Sequence, residues 1–308
     1  MKILVTGGAG FIASNIVDRL VTEGHEVAVV DNLSTGSMKN LNSDAMFFKG
    51  DIRDFSFLKE VFAEFRPDIV NHHAAQMDVR VSTREPRLDA EINILGSINL
   101  ILLSVQYTIQ KFVYISTGGA VYGEPLYLPV REDHPINPLS QYGISKHTVE
   151  HYLYLYSLNY NLQYAVLRYP NVYGPRQNPH GEAGVIAIFG SKMLMGEQPV
   201  IFGDGQQTRD YVYISDIVEA NMKAMFQKAL GIYNIGSGIG TSVLQLHKII
   251  SYILKQNRQP IFGERRIGEI QNICLDANRA NEDLEWSPKI SIQEGIELTM
   301  HWIKEQMK

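Results

Sequence analysis

The sequence lacks the features that typify secreted, membrane-spanning and nucleic-acid-binding proteins. It has one cysteine, Cys274, so no disulfide can form within the chain, and a reducing cytoplasm is the expected compartment. No run of about 18 uninterrupted apolar residues occurs, so we expect no membrane span. The opening run from Ile3 to Val5 is too short for a signal peptide. The net charge of −5 argues against a general binder of phosphate backbones but is compatible with a local basic pocket for a small anion.

Short β-branched runs alternate with longer amphipathic stretches over the first 170 residues of the 308-residue chain. Continuous apolar strands that alternate with helices are typical of a parallel sheet covered on both faces. The predicted elements are a strand at 3–5, a helix at 11–22, strands at 26–31 and 46–48, a helix at 55–65, a strand at 68–72, a helix at 90–107, a strand at 111–116, a helix at 141–159 and a strand at 164–168.

The pattern changes after Asn171, where glycine and proline cluster at Gly174-Pro175 and again between Gly203 and Gly205. Two helices, 242–255 and 292–304, are predicted in this half. The predicted fold class is α/β, a Rossmann-type doubly wound parallel sheet with a smaller mixed α/β substrate-binding lobe. We expect the sheet domain to comprise residues 1–170 and 211–236, and the lobe to comprise residues 171–210 and 237–308.

A glycine-rich turn, Gly7-x-x-Gly10-x-x-Ala13, follows the first predicted strand and opens the first predicted helix. Such a turn lets the backbone approach a pyrophosphate, which then meets the free N–H groups of the helix N-terminus. Asp31 ends the second strand, where a carboxylate accepts hydrogen bonds from ribose hydroxyls and repels a 2′-phosphate. These residues favour NAD over NADP. The alternative is a plain tight turn, with Asp31 as a turn or capping residue.

Tyr142 and Lys146 are four residues apart and share one face of the predicted helix 141–159. A tyrosine has an ordinary pKa of about 10, and a neighbouring ammonium ion lowers a tyrosine pKa because it stabilises the phenolate. Tyr142 could then remove the proton of a sugar hydroxyl while hydride leaves the same carbon. The alternative is a chance pair on a solvated helix face.

Further motifs occur along the chain in a characteristic order. They are Gly7-x-x-Gly10, Asp31, Gly50-Asp51-Ile52, His72-x-Ala74-Ala75, Asn93, Ser116, Tyr122-Gly123, Tyr142-x-x-x-Lys146, Arg168-Tyr169-x-Asn171-Val172-Tyr173-Gly174-Pro175, Arg209-Asp210-Tyr211 and Arg266-x-Gly268-Glu269. In these motifs, over nearly its whole length, the chain resembles the extended short-chain dehydrogenase/reductases and, within them, the UDP-sugar epimerases of the UDP-glucose 4-epimerase type. The resemblance implies an isomerase that interconverts UDP-glucose and UDP-galactose through a transient 4-keto sugar, with bound NAD recycled.

The resemblance also implies a role for each motif residue. The cofactor-binding set comprises Gly7, Gly10, Phe11 and Ile12 at the pyrophosphate, Asp31 and Asn32 at the adenosine ribose, Asp51 and Ile52 at the adenine, and Ala74, Ala75, Gln76, Asn93, Ser116, Tyr142, Lys146 and Tyr169 along the rest of NAD. The substrate-binding set comprises Thr117, Tyr142, Asn171, Val185, Ile186, Val200, Ile201 and Phe202, with Arg209 and Arg266 on the diphosphate and Glu269 on the uridine ribose. No metal is implied, and paired arginines suit a diphosphate because each guanidinium can bind it bidentately.

The chain departs from the family's pattern in the run from Ser116 to Gly123, which reads Ser-Thr-Gly-Gly-Ala-Val-Tyr-Gly. The family usually has a hydroxyl residue where Gly118 stands, and a glycine cannot relay a proton. We therefore expect Thr117, or a water, to take that catalytic role beside Tyr142 and Lys146. The run also lacks the acidic pair of the related dehydratases and the glutamate of the decarboxylases, which favours plain epimerisation.

Other substrates and functions stay open at this level. A UDP-N-acetylhexosamine is an alternative substrate, because Ile273 stands where some relatives carry a bulky tyrosine. A UDP-uronate is another. The protein could also be a net dehydrogenase that releases NADH, or an NAD-binding regulator without turnover.

Two motifs on the helix 141–159 suggest other functions. His147-x-x-Glu150-His151 matches a zinc-peptidase pattern, but it directly follows Lys146, so we interpret it as part of a solvated or interface face. The aromatic run 152–156 is interpreted as packing rather than a nucleic-acid surface, because no basic stripe accompanies it. The resemblance implies a homodimer formed by this helix and the helix at 90–107.

Overall fold

Parallel strands dominate the protein, as seen in a computed structural model that describes residues 1–179, 184–228, 230–265 and 270–307. The strands of this described part are β1 (Lys2–Thr6), β2 (Glu26–Asp31), β3 (Met46–Lys49), β4 (Ile69–His72), β5 (Lys111–Thr117), β6 (Tyr164–Tyr169), β7 (Asn171–Tyr173), β8 (Val200–Phe202), β9 (Thr208–Arg209), β10 (Tyr211–Tyr213), β11 (Gly231–Asn234), β12 (Thr241–Ser242) and β13 (Ile261–Gly263).

Helices connect these strands. They are α1 (Phe11–Thr22), α2 (Phe55–Phe65), α3 (Val79–Arg84), α4 (Pro86–Ala90), α5 (Gly96–Gln106), α6 (Gln141–Tyr160), α7 (Val185–Leu194), α8 (Ile214–Phe226), α9 (Val243–Leu254), α10 (Asn278–Leu284) and α11 (Ile292–Gln306). A short 3₁₀ segment covers Met38–Asn40, and a π-helical turn at Glu91–Leu95 joins α4 to α5.

The main sheet has seven strands in the order β11-β6-β5-β4-β1-β2-β3, and every neighbouring pair is parallel. The strand order reverses between β1 and β4, which is the switch point of a doubly wound sheet. Ligands of such sheets bind at the carboxyl ends of the strands next to this point. The predicted fold class is therefore confirmed, and the functional site is expected where β1, β4 and β5 end.

Both faces of the main sheet are buried. Ile3 and Val5 of β1 pack on the face that carries Ile16 of α1, whereas Leu4 between them packs on the face that carries Leu58 of α2. Successive side chains of a strand point to opposite faces, so a strand covered on both faces needs apolar residues at consecutive positions. This requirement explains the continuous apolar runs in the sequence.

The predicted elements of the first 170 residues are confirmed with small changes at their ends. The helix predicted from residue 90 begins earlier, at Pro86, because proline is well suited to a first helical turn. In the second half α7, α8, α10 and the seventh sheet strand β11 were not predicted. The division of the chain into a sheet domain and a lobe at the boundaries given above stays a prediction.

One continuous helical stretch of the described residues, Pro86–Gln106, is long and apolar enough to cross a membrane by length and composition, with a mean hydropathy of 1.5. Its buried side includes Leu100, Ile101 and Leu103, which pack in the core beside α2. Core helices of soluble proteins share these properties, so the stretch is weak evidence for a span. The expectation of no membrane span stays a prediction.

Candidate active site

The glycine turn lies between β1 and α1 and approaches the chain beyond β4. Gly7 has a φ of 71° and donates its N–H to the Val30 carbonyl at 2.8 Å. A Cβ added at Gly7 would come within 2.8 Å of the Ala74 nitrogen, so the turn has no room for a side chain. Gly10 caps α1 without a side-chain hydrogen bond, which leaves the first N–H groups of the helix to a ligand. This cradle fits a dinucleotide pyrophosphate at Gly7, Gly10, Phe11 and Ile12.

Polar groups at the ends of β2 and β3 form the next part of the site. Asp31 is buried and its carboxylate accepts hydrogen bonds from the Ala9 nitrogen at 3.0 Å and the Leu33 nitrogen at 2.7 Å. Asn32 donates to Asp51 at 2.9 Å. Hydrogen bonds from the Arg53 guanidinium lower the pKa of Asp51 to about 2. Asp31 therefore presents a carboxylate where a ribose is expected.

Ile52 follows Asp51 and packs inward, against Gly96 at the start of α5. A Cβ added at Gly96 would come within 2.7 Å of the Ile52 side chain, which is 4 % exposed. Ile52 is thus positioned by a close helix contact, and its predicted contact with adenine stays a prediction.

Asn93 links the loop beyond β4 to helix α6. It lies in the π-helical turn, is 1 % exposed, and accepts the Gln76 N–H at 2.8 Å while donating to the Gln76 carbonyl at 2.9 Å. The same amide donates to the Ser145 hydroxyl at 3.2 Å. Ala74 and Ala75 lie in the loop that this pair holds. The Asn93 hydrogen bonds therefore fix the predicted cofactor loop relative to the helix that carries Tyr142 and Lys146.

Helix α6 carries the predicted catalytic pair, Tyr142 and Lys146. Ser140 caps the helix by accepting the Gly143 N–H at 3.1 Å, so Tyr142 lies in the first turn and Lys146 one turn later. The Lys146 side chain is buried, with its Nζ atom 4.4 Å from the centre of the Tyr114 ring. Burial lowers the pKa of Lys146 to about 7, although the carboxylates of Glu150 and Asp89 oppose this effect. An ammonium group that titrates near neutral pH is suited to proton transfer chemistry.

The turn after β5 lies against the start of α6. A Cβ added at Gly143 would come within 2.6 Å of the Ala120 carbonyl, so the residue after Tyr142 contacts this turn directly. A Cβ added at Gly119 would be 3.8 Å from the Thr117 hydroxyl and 4.0 Å from the Asn171 side-chain oxygen. Thr117 and Asn171 therefore flank the same small space.

Gly118 lies directly against the side chain of Leu275. A Cβ at this position would come within 2.3 Å of Leu275, whose side chain is fully buried. Leu275 packs with Ile273, which is 2 % exposed, and with Val121 and Tyr122. A side chain at position 118 would therefore require Leu275 to shift.

A buried ion pair that the sequence did not reveal lies beneath the turn. Glu150 accepts hydrogen bonds from Arg168 Nε at 3.0 Å and Nη2 at 2.5 Å, from Ser116 at 2.5 Å and from His147 at 2.9 Å. Arg168 also donates to the Tyr122 hydroxyl at 2.7 Å. Although burial alone would raise the pKa of Glu150, the hydrogen bonds from His147 and Arg168 lower it to about 2. A contact of Ser116 with the cofactor would therefore involve its backbone, because its hydroxyl proton is held by Glu150.

Tyr169 and Asn171 lie where β6 passes into β7. Tyr169 is 5 % exposed, and its hydroxyl accepts a hydrogen bond from Asn221 of α8. Burial raises the pKa of Tyr169, so this hydroxyl stays neutral. The Asn171 N–H donates to the Asp210 carbonyl at 2.9 Å, which aligns β7 with the segment before β10.

The residues predicted to hold the nucleotide are only partly described. Val185 and Val200 are half-buried and Phe202 is exposed, whereas Ile186 and Ile201 are 0 % exposed. The side chains of the last two belong to the core, and the prediction that this set lines a uracil pocket stays a prediction. Arg209 is half-buried and donates to the Thr208 carbonyl at 2.9 Å and the Gln271 carbonyl at 3.4 Å. Arg266 and Glu269 lie outside the described residues.

Known proteins with this architecture identify the family. The family model for the NAD dependent epimerase/dehydratase family matches residues 3–236. A putative UDP-glucose 4-epimerase of Methanocaldococcus jannaschii is 49 % identical, with 98 % of each chain covered. A crystal structure of UDP-glucose 4-epimerase with UDP-glucose, from Thermotoga maritima, has a TM-score of 0.99 at 47 % identity, with 100 % of each chain covered. A Thermus thermophilus UDP-glucose 4-epimerase in complex with NAD has a TM-score of 0.94 at 43 % identity, with 99 % of each chain covered. The chain belongs to the NAD-dependent epimerase/dehydratase family.

Proposed function

We propose that this protein is a UDP-glucose 4-epimerase that interconverts UDP-glucose and UDP-galactose and recycles a bound NAD. One observation carries the proposal within the family: the turn from Ser116 to Gly123 contacts the start of α6 beside Tyr142, and it offers the Thr117 hydroxyl but no carboxylate. Epimerisation needs a base at the C4 hydroxyl and no further acid, whereas elimination or decarboxylation requires one. The similarity to UDP-glucose 4-epimerases over the whole chain supports the same substrate.

The chain's own groups fit NAD and would hold it at both ends. The glycine turn and the N-terminus of α1 would bind the pyrophosphate, and Asp31 would bind the adenosine ribose. Lys146 would hydrogen-bond the nicotinamide ribose, and the buried ring of Tyr169 would lie beside the nicotinamide. When bound, NAD supplies the acceptor for the C4 hydride and returns that hydride to the sugar.

Tyr142 performs the proton transfer in this mechanism. Its phenolate, stabilised by the Lys146 ammonium group, removes the proton of the C4 hydroxyl and later returns it. Thr117 lies beside Asn171 at the edge of the same space and would relay the proton. Between the removal and the return of the hydride, the 4-keto sugar must rotate about its bond to the diphosphate while the nucleotide stays fixed. Binding energy therefore belongs with the nucleotide, for which we propose Arg209, Arg266 and Glu269 as ligands.

A UDP-N-acetylhexosamine is a second candidate substrate. Ile273 occupies the position of the larger tyrosine found in some relatives, and its side chain is turned into a cluster with Val121 and Leu275. Gly118 and Gly119, in the turn after β5, have no side chains that would narrow the space for the sugar. A group larger than hydroxyl at sugar C2 would then be accepted.

We also propose a cytoplasmic homodimer. Helix α6 exposes an apolar stripe in which Ile144 is 51 %, Leu155 48 % and Leu158 64 % exposed, and Leu102 of α5 is 41 % exposed. The α6 positions are 11 and 3 residues apart, which is close to whole helical turns and places them on one face, as in helices that pair with other helices. A buried free thiol, Cys274, suits a reducing compartment.

The decisive experiment is turnover without added NAD. Purified protein is incubated separately with UDP-galactose, UDP-N-acetylgalactosamine and UDP-galacturonate, and the products are separated by chromatography. We expect UDP-glucose from UDP-galactose and no accumulation of NADH. The control is Tyr142→Phe, which keeps the ring but lacks the base. Stoichiometric release of NADH, or no product from any of these UDP-sugars by a folded protein that retains NAD, would refute the proposal.

A further inference from the structure

The turn from Ser116 to Gly123 must be held in a fixed place relative to helix α6. Thr117 lies near the start of this turn, and a proton relay requires Thr117 and Tyr142 to face the same sugar hydroxyl. The Ala120 carbonyl, in the middle of the turn, lies so close to α6 that a Cβ added at Gly143 would come within 2.6 Å of it. Whatever attaches the two ends of the turn therefore determines how Thr117 meets the helix.

The start of the turn is attached directly to α6. The Ser116 hydroxyl donates a hydrogen bond to the Glu150 carboxylate at 2.5 Å, and both residues are 2 % exposed. Glu150 lies on α6 about two helical turns beyond Tyr142. This hydrogen bond thus joins the first residue of the turn to the helix that carries the predicted base.

The end of the turn is attached through Tyr122, which is 0 % exposed. Its hydroxyl accepts a hydrogen bond from Arg168 Nη1 at 2.7 Å and donates one to Asn234 Oδ1 at 2.7 Å. Asn234 Nδ2 donates to the Val130 carbonyl at 2.9 Å, which leaves Oδ1 as the atom that faces the tyrosine. Burial raises the pKa of Tyr122 to about 12, so the hydroxyl is neutral and satisfies both partners.

Both attachments converge on one buried ion pair. Arg168 binds the two carboxylate oxygens of Glu150 through Nε at 3.0 Å and Nη2 at 2.5 Å. The glutamate holds Ser116, and the arginine holds Tyr122 through its remaining Nη1 group. A guanidinium group is planar and presents its donors in a fixed arrangement. The two ends of the turn are therefore fixed relative to each other and to α6.

The Tyr122 hydroxyl has no part in filling the core. The ring of Tyr122 packs with Val121 and Leu275, and a phenylalanine ring would fill the same space. The hydroxyl adds only the hydrogen bonds that connect the turn to β6 and β11. Its contribution is thus directional, because hydrogen bonds specify a position whereas apolar contacts are not directional.

We propose that Ser116 and Tyr122 are positioning residues, whose hydroxyls attach both ends of the turn to the same buried ion pair. The attachment keeps Thr117 facing the sugar hydroxyl beside Tyr142. The consequence for turnover rests on the proposed function, whereas the attachment of the turn requires no substrate. The Tyr122 side chain acts only through the turn.

Removal of single hydroxyls separates this role from packing. Tyr122→Phe keeps the ring and releases the end of the turn, and Ser116→Ala releases its start, so either folded variant tests the proposal. The matched control is Tyr233→Phe, which also removes a buried tyrosine hydroxyl. Tyr233 is 1 % exposed and its hydroxyl donates to the Leu230 carbonyl at 3.1 Å and to Asp283 at 3.2 Å, neither of which belongs to the turn.

The direct readout is amide hydrogen exchange, measured by mass spectrometry on the protein without substrate. Within the turn, the Gly118 N–H donates to the Tyr169 carbonyl at 2.8 Å and the Val121 N–H to the Thr117 carbonyl at 3.4 Å. We expect faster exchange in peptides that cover 116–123 in both variants, with β1 unchanged, and wild-type exchange in this segment in Tyr233→Phe. Unchanged exchange of 116–123 in either folded variant would overturn the proposal. A rise that extended equally to β1 would also contradict it.

Turnover supplies the second readout. In Tyr122→Phe we expect kcat to fall about tenfold, because a small misplacement near the reacting atoms is costly. The KM for UDP-galactose and the Kd for UDP, measured by calorimetry, should not change, since the turn does not hold the nucleotide. Weaker UDP binding with an unchanged kcat would contradict the positioning role. If the variants loosen the turn but the wild type turns over no UDP-sugar, the attachment is upheld and the proposed function is rejected.

Discussion

Removing the charge of Glu150 should destabilise the protein strongly. In Glu150→Gln the Arg168 guanidinium, which is 2 % exposed, loses the carboxylate that accepts two of its hydrogen bonds. Breaking a buried ion pair on one side costs about 3–5 kcal/mol. The pKa of Glu150 gives a similar magnitude, because a fall from 4.5 to about 2 corresponds to about 3 kcal/mol in favour of the folded state. This is a large part of a total stability of about 5–15 kcal/mol.

The pH dependence of this stabilisation has a definite sign. The folded-state pKa of Glu150 lies below its ordinary value of 4.5, so the contribution is complete above that pH and is lost as the pH falls toward about 2. Glutamine does not titrate. The difference in stability between the wild type and Glu150→Gln should therefore shrink progressively across this acid range.

Urea unfolding followed by circular dichroism tests this prediction. At neutral pH we expect Glu150→Gln to lose about 3–5 kcal/mol. Arg168→Met should be similarly costly, because it strands the buried carboxylate. The double variant should cost less than the sum of the two, with a coupling of at least about 1 kcal/mol. A loss below about 1 kcal/mol in Glu150→Gln, with no coupling to Arg168→Met, would show that the pair does not hold the fold in this way.

Three further predictions follow from single contacts. Gly7→Ala should weaken NAD retention, measured as bound NAD per chain, because the new Cβ would lie 2.8 Å from the Ala74 nitrogen. The control is Gly24→Ala, because Gly24 has a similarly positive φ of 80° but open space around its Cβ. This control should add only backbone strain of about 1–2 kcal/mol and retain NAD. Thr117→Val should lower kcat about 100-fold while Thr117→Ser retains most of it, and near-normal turnover in the valine variant would rule out the relay. Leu158→Glu should give a monomer by light scattering at micromolar protein, and a wild type that is itself monomeric would rule out the proposed dimer.

Periodicity in the sequence was sufficient to predict the main sheet. The runs at Ile3–Val5 and Val27–Val30 are apolar at every position, which happens only when both faces of a strand are covered. Intervening helices then require parallel strands, and the glycine turn predicts the edge at which a ligand binds. All of this is local information, because each inference depends on residues close together in the chain.

The second half could not be predicted in the same way because its elements are short and depend on partners far along the chain. Strand β11 has four residues and is defined as a strand by its parallel pairing with β6. Helix α8 has an ordinary helical length but lies directly after β10 and packs on α1, so its apolar face could not be assigned from local periodicity. Ile186 and Ile201 likewise fell in the core because tertiary packing, not sequence spacing, determines which apolar residues remain exposed.

The pattern His147-x-x-Glu150-His151 shows how one spacing can serve different chemistry. On a helix it places two imidazoles and a carboxylate on adjacent faces, and the two imidazole Nε2 atoms are 3.0 Å apart. The carboxylate, however, is turned inward, where both of its oxygens are hydrogen-bonded by Arg168, Ser116 and His147. A metal ion could recruit Glu150 only by displacing a buried guanidinium, which would leave that charge unpaired. Arg168, 18 residues away on another element, therefore determines the role of this motif, and no local pattern could have indicated it.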